Sequence, residues 1–494
     1  MRISASLIWR TLLPGAGLAA LLLAALVVFG AEDESGPAAG QTSQPKAAPT
    51  ADASATAPPR PAAANTFYVS PRGDGSDGRS WQTAWPELDR IDWEAIGPGA
   101  TILLDGGAEK IVYRTTLVVA RSGKEGAPIT IRLAAEPGHN GRAVIFGGRS
   151  APLPYCGQGD YEPTGDEVRS VGIAVGDADW IVVDGTKWRG IAIHGHGRSG
   201  IDFDGGASDV VVRYVEVYDN GSVSRRGDRW YPEQEGVSLS GTNITFKRAI
   251  VHDNGEDAFQ ASSKLENFTL RESWLYNGRK DPDGDVWNYC KHPDGLQIYA
   301  GGEQRGVTVV DSVVGPGWMQ GLLLGNPYRG EGEDRDFATV HDVAVRNSLF
   351  YGSGNSNIAD NSEPSVPPTN WRIENVTSDR PADGKWHNLS FRGNAAEIAI
   401  VDSLLSGGLE AAVPEGGTYS GNFLHKAKGK GVGKVIDALY ADPAAQGSAA
   451  LDADFALVEG SPAAGRGSTV TSARQLLARP AAAADGAASP CGGR

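Results

Sequence analysis

Three acids stand at matching places in successive short apolar segments. Glu235 precedes Gly236-Val237-Ser238-Leu239, Asp257 opens DAFQA (257–261), and Asp294 opens DGLQI (294–298). Two of these segments also carry an outward glutamine, Gln260 and Gln297. Carboxyl groups held close together make one of them reluctant to ionise, which suits a general acid beside a base or nucleophile. Lys291 and His292, just before Asp294, are the best-placed bases, with Lys264 further off. The candidate catalytic set is therefore Asp257, Asp294, His292, Lys291 and Glu235. A structural alternative stands beside it: an aspartate at a turn caps backbone N–H groups, and stacked glutamines form amide ladders.

Two insertions run directly into these acids, NGSVSRRGDRWYPEQ (220–234) and NGRKDPDGDVWNYCKHP (277–293), and NPYRGEGEDRD (326–336) follows one repeat later. They carry Arg225, Arg226, Arg229, Trp230, Tyr231, Arg279, Lys280 and Trp287. Rings can stack on sugar faces and cations can meet uronates or sulfates, so long loops walling a row of acids point to a polysaccharide groove. Loops of this length are often functional, although they could also shield an edge. The expected substrate-binding residues are Gln260, Gln297, Arg229, Trp230, Arg279, Lys280 and Trp287. Asp253, Asp257, Asp281, Asp283 and Asp285 could offer oxygens to Ca²⁺, but no EF-hand-like spacing is present. No cofactor is expected, with Ca²⁺ the alternative.

What must position these residues is a repeat. VVVRYVEVYDNG (210–221), ITFKRAIVHDNG (244–255), FTLRESWLYNG (268–278), VTVVDSVVGPG (307–317) and VAVRNSLFYGSG (343–354) alternate with SGIDF, EGVSL, DAFQA, DGLQI, QGLLL, SNIAD and HNLSF. Each unit reads as strand, bend, strand, Gly-rich corner and a third short strand. The shortest spacing, Val237 to Phe259, is about 22 residues per coil. Nothing sustains a 3.6-residue period. These features predict an all-β, single-stranded right-handed parallel β-helix with loop insertions. Leu296 and Ile298 should point inward onto Phe259/Ala261 and Leu322/Leu324, with the middle residues outward. Coils about 4.8 Å apart would stack the acids in a row, and His194, Tyr218, His252 and Tyr276 in a ring ladder. The corners should draw on Gly and Asn-Gly for positive φ. Gly-His-Gly (195–197) then reads as a turn.

The start of the body, FYVSPRGDGSDGRSWQTAW (67–85), GPGATILLDGG (97–107) and APITIRLAAEPG (127–138), resembles the N-terminal entry of the pectate-lyase-like right-handed β-helix superfamily. DADFALVEGSPAAGRG (452–467) resembles its opposite end. The resemblance spans roughly residues 66–467 and speaks for fold more than reaction, because it implies polysaccharide lyases, glycoside hydrolases, epimerases or non-enzymatic proteins alike. In lyases of this fold the base is commonly Lys or Arg, sometimes with Ca²⁺. Polygalacturonase-type hydrolases carry an Asp-Asp pair followed by Gly-His-Gly and a basic triplet. Here Glu256-Asp257 is similar to the pair, but Gly-His-Gly precedes it and the triplet is missing from its place.

Composition sets the outer bounds. The chain has 494 residues, 66 Gly, 29 Pro, three Cys and a net charge of −15. That balance excludes a general nucleic-acid binder, and three cysteines exclude a disulfide scaffold. Cys156 and Cys290 could pair outside the cytoplasm. Residues 1–30 form a signal peptide or a signal anchor, residues 11–31 being uncharged and able to serve as a membrane tether. Residues 31–64 read as an Ala/Pro-rich disordered linker, 65–470 as the β-helix and 471–494 as a disordered tail. The expectation is an extracytoplasmic, monomeric protein, secreted or anchored, that cleaves an acidic polysaccharide by β-elimination or hydrolysis. A non-catalytic glycan-binding scaffold and a polymer-level epimerase are the alternatives.

Overall fold

The computed structural model describes residues 65–162, 168–277, 293–326, 337–362, 365–379, 388–391, 397–406, 417–425, 433–435, 440–442, 444–445 and 450–480. The leader, the linker and residues 278–292, with Arg279, Lys280, Trp287, Cys290, Lys291 and His292, lie outside the described residues. Among those described, no helix is long and apolar enough to cross a membrane.

Three parallel sheets of twelve, nine and twelve strands wrap the body from 65 onward. Each central coil contributes one strand to each sheet, and parallel pairing joins it to the coils before and after. Phe259 pairs with Leu296 and Leu296 with Leu322, and all three are fully buried. The inward residues of the coil strands thus form one continuous apolar stack. The fold is a right-handed parallel β-helix, the hand that parallel crossovers adopt in nearly all proteins.

One of the corners differs from the glycine expectation. Where the first twelve-stranded sheet turns into the second, the left-handed residue is Arg248 (φ 54°), Glu272 (48°), Asp311 (52°), Asn347 (43°), Asn375 (51°) or Asp402 (50°). A left-handed side-chain-bearing residue costs roughly 1–2 kcal/mol. Serine hydroxyls stacked beside the turn offset this by capping the next amides: Ala249 N–H donates to Ser273 Oγ (3.1 Å), Ser273 N–H to Ser312 Oγ (3.1 Å) and Ser312 N–H to Ser348 Oγ (3.2 Å). At other corners glycine takes the positive φ as expected, as at Gly221 (135°), Gly241 (117°), Gly315 (128°) and Gly325 (100°), and elsewhere it serves close approach. A Cβ on Gly295 would lie 2.4 Å from Gly321 O, and one on Gly236 would lie 2.5 Å from Asn254 Nδ2.

The ring ladder forms along the second twelve-stranded sheet. His194 stacks on Tyr218 (4.7 Å between centroids, 11° between planes), Tyr218 on His252 (5.2 Å, 1°) and His252 on Tyr276 (4.5 Å, 7°). His196 of the Gly-His-Gly turn is fully buried, its Nδ1 2.9 Å from Asn220 Oδ1.

Residues 471–480, expected in the tail, belong to the body. A helix, Ala473–Leu477, is capped by Ser472 and buries Leu476 completely. With Tyr440, Phe455 and Val470 it covers Ile250, Trp274, Val313, Leu349 and Leu404 on the outer face of the ladder sheet. Arg248 fastens its end, donating to Pro480 O (2.7 Å) and ion-pairing with Glu272 (2.5 Å). Hydrophobic burial, at about 25 cal/mol per Å², holds this Ala-rich strap in place despite its low-complexity look.

Candidate active site

The nine-stranded sheet carries the expected columns. Glu235, Asp257, Asp294 and Gln320 each stand two residues before the paired Val237, Phe259, Leu296 and Leu322. Ser238, Gln260, Gln297 and Leu323 pair in sequence on the outer face. Over them lies a cavity of about 450 Å³, lined by Gln234, Glu235, Glu256, Gln260, Gln297, Tyr299, Leu323, Gly325, Asn326 and Asn361.

The acids divide into two kinds. Asp257 and Asp294 are fully buried and do not line the cavity. Asp257 accepts from Asp294 N–H (2.7 Å) and Gln260 Nε2 (2.8 Å), and Asp294 accepts from Gln320 N–H (2.8 Å). Each short side chain caps the backbone of the following coil. Burial, with the charges of Asp294 and Glu256 adding to it, pushes the Asp257 carboxyl well above the usual carboxylate range. The longer Glu235 and Glu256 reach the cavity from adjacent coils joined by Glu256 N–H to Gln234 O (2.7 Å).

Burial also raises Glu235, which is 5% exposed, and the charge of Glu256 adds to the effect. Arg198 and Ser238 pull the other way without cancelling it. Arg198 is itself drawn to Asp202 (3.3 Å) and Asp204. Tyr299 is raised mainly by burial, against a hydrogen bond from Ser262, with the charges of Glu235, Asp257 and Glu256 contributing. Its phenol is therefore a persistent donor beside two carboxyls. Gln260 Nε2 donates to Gln297 Oε1 (3.1 Å), fixing two amides across neighbouring coils. A glycosidic bond laid here would meet a carboxyl whose pKa burial raises, a second carboxyl and several amides.

Arg229 and Trp230 lie on a β-hairpin, Ser222–Arg226 paired with Arg229–Glu233, that leads into Gln234. Trp230 makes an edge contact with Tyr161 (5.7 Å) and a bridge to Gln158. Cys156, just before this contact, is disulfide-bonded. Among the described residues no group of three or more His, Cys, Asp and Glu is placed to hold a metal. Asp253, one of the Ca²⁺ candidates, is occupied by His252 (2.6 Å) and Asn277; Asp281, Asp283 and Asp285 lie outside the described residues.

Glu256, Tyr299, Asn326 and Asn361 were not among the expected site residues. Period-2 alternation does mark Tyr299, which stands two residues after Gln297, and Glu256 directly precedes Asp257. Asn326 and Asn361 sit where strands end, and no pattern flags them.

No family model matches the sequence, and no curated protein is significantly similar to it. Among solved structures, pectate lyase Pel9A is 17% identical with a TM-score of 0.41, over 80% of this chain and 90% of that one. An alginate lyase from Paenibacillus sp. is 14% identical with a TM-score of 0.38, over 69% of this chain and 97% of that one. The polygalacturonase from Erwinia carotovora is 13% identical with a TM-score of 0.38, over 75% and 95%. The strand register of this chain, taken by itself, makes it a right-handed parallel β-helix protein.

Proposed function

We propose that the chain is an exported carbohydrate-active enzyme that hydrolyses a polysaccharide in the groove over Glu235 and Glu256. The observation that carries this reading is the buried Glu235 carboxyl, raised by its surroundings, in a cavity of about 450 Å³ shared with Glu256 and an array of amides. Glu235 gives its proton to the glycosidic oxygen as the C–O bond breaks. Water adds to the anomeric carbon and its proton passes to Glu256. Tyr299, Gln260, Gln297, Asn326 and Asn361 hold sugar hydroxyls. Asp257 and Asp294 support the wall from behind. Export is supported by the disulfide at Cys156 and the uncharged run 11–31.

Incubation with uronate-containing and neutral polysaccharides tests this reading. New reducing ends without ultraviolet absorbance are expected. An absorbing, unsaturated product would replace hydrolysis by elimination, with Lys291 or His292 as base. Retention of glycan with no turnover of any polymer would make the chain a binder, and changed sugar composition without chain shortening would make it an epimerase.

A further inference from the structure

The hairpin that leads into the groove is locally basic in an acidic chain. In a chain of net charge −15, its tip places Arg225, Arg226 and Arg229 within five residues, all exposed, with Asp228 the one acid among them. The guanidinium of Arg225 lies 5.5 Å from the Trp230 ring centre and that of Arg226 5.0 Å from Tyr231. Such stacking holds a guanidinium in place and leaves its in-plane donors facing outward. Arg226 also meets Glu233 (3.1 Å) and Arg225 Nε donates to Gly227 O (3.1 Å), so both are oriented before any ligand arrives.

The arm is anchored at both ends. Trp230 packs on Tyr161 and bridges Gln158, and residue 157 abuts Arg229, where a Cβ would lie 3.5 Å from Nη1. At the base, Glu233 leads directly into Gln234 and Glu235 of the cavity wall. Arg229 stands six positions before Glu235, which along an extended chain is about 20 Å. The described cavity lining itself contains no Lys or Arg. Among the described residues, this arm offers three exposed cations beside that lining.

We propose that the hairpin is an anion-binding arm that grips carboxylates or sulfates of the polymer a few sugars from the cleaved bond, and so makes an acidic polysaccharide the substrate. This rests on the reading of the groove as a polysaccharide site. Planar, bidentate Arg–carboxylate pairing gives such contacts specificity that a flexible lysine would lack.

The test is equilibrium binding of the full chain to polygalacturonate and, as neutral counterpart, its methyl ester. Wild type should prefer the acid form, and Arg225→Gln/Arg229→Gln should bind it roughly tenfold more weakly with a shallower salt dependence. Arg225→Lys/Arg229→Lys should fall between. Arg372→Gln, an exposed cation on another sheet, should bind like wild type. Equal binding of acid and ester by wild type, or unchanged binding by the Gln variant, overturns the arm. Because the readout is binding, polygalacturonate held but not cleaved contradicts hydrolysis and leaves the arm standing, whereas cleavage with unchanged binding in the variant overturns only the arm.

Discussion

The outer faces of two sheets, built by the same coils, have opposite fates. On the ladder sheet the outward positions from Ile250 run Trp274, Val313, Leu349, Thr377 and Leu404, and Tyr440, Phe455, Val470 and Leu476 lie over the apolar ones. On the nine-stranded sheet the paired outward positions run Asp202, Ser238, Gln260, Gln297 and Leu323, and a cavity lies over the last three. The backbone is alike in both. A parallel coil can bury either face, so the outward residue type decides whether a face is sealed by hydrophobic contact or left wet for a ligand.

Substitutions on each face should separate the two roles. Glu235→Gln should lower turnover by about 10²–10⁴-fold while leaving polymer binding and unfolding unchanged; steady-state rates beside binding on the same preparation check this. Leu476→Ala, on the sealed face, should do the reverse, costing about 2–4 kcal/mol in denaturant unfolding with full activity of the folded fraction. Asp257→Ala should resemble the sealed face more than the groove. It strips the acceptor from Asp294 N–H and the Gln260 amide, a loss of about 1–3 kcal/mol, with a turnover decrease much smaller than that of Glu235→Gln. An equal collapse of turnover would move the chemistry to Asp257.

The smallest effect concerns the ladder. Burial alone would lower His252, but its hydrogen bonds to Asp253 and Glu216 outweigh burial and raise its pKa above the ordinary value. The folded state therefore binds the proton more tightly than the unfolded chain. The resulting stability is complete below about pH 6.5 and is lost as pH rises through the raised folded value. His252→Phe keeps the stack and removes this dependence, so the difference between the two unfolding midpoints should shrink across that range. A constant difference would mean His252 does not titrate with folding.

The coil was legible because period 2 and a recurring spacing survive every insertion, and inward residues such as Phe259 and Leu296 must stack whatever surrounds them. The ladder followed from the same register. The division among the acids was not legible: Glu235 and Asp257 occupy one column, and only side-chain length sends one to the groove and the other to the next coil's amide. The strap was hidden because Phe455, Val470 and Leu476 are sparse apolar residues in an Ala/Gly-rich stretch, with no period to mark them. Their partners on the ladder sheet were visible, since segments such as SWLY and SLFY are apolar on both faces. Two of the left-handed corners, Arg248 and Glu272, escaped because neither residue looks like a turn former until their ion pair and the serine stack are seen.

The groove's chemistry is tested most directly by the pH dependence of kcat/KM in wild type and Glu235→Gln. Proton donation by Glu235 predicts that wild-type activity falls on the alkaline side at a pH above the ordinary glutamate value of 4.5, and that the variant lacks this limb along with most of its rate. A variant that keeps the wild-type rate and the same alkaline limb would contradict it.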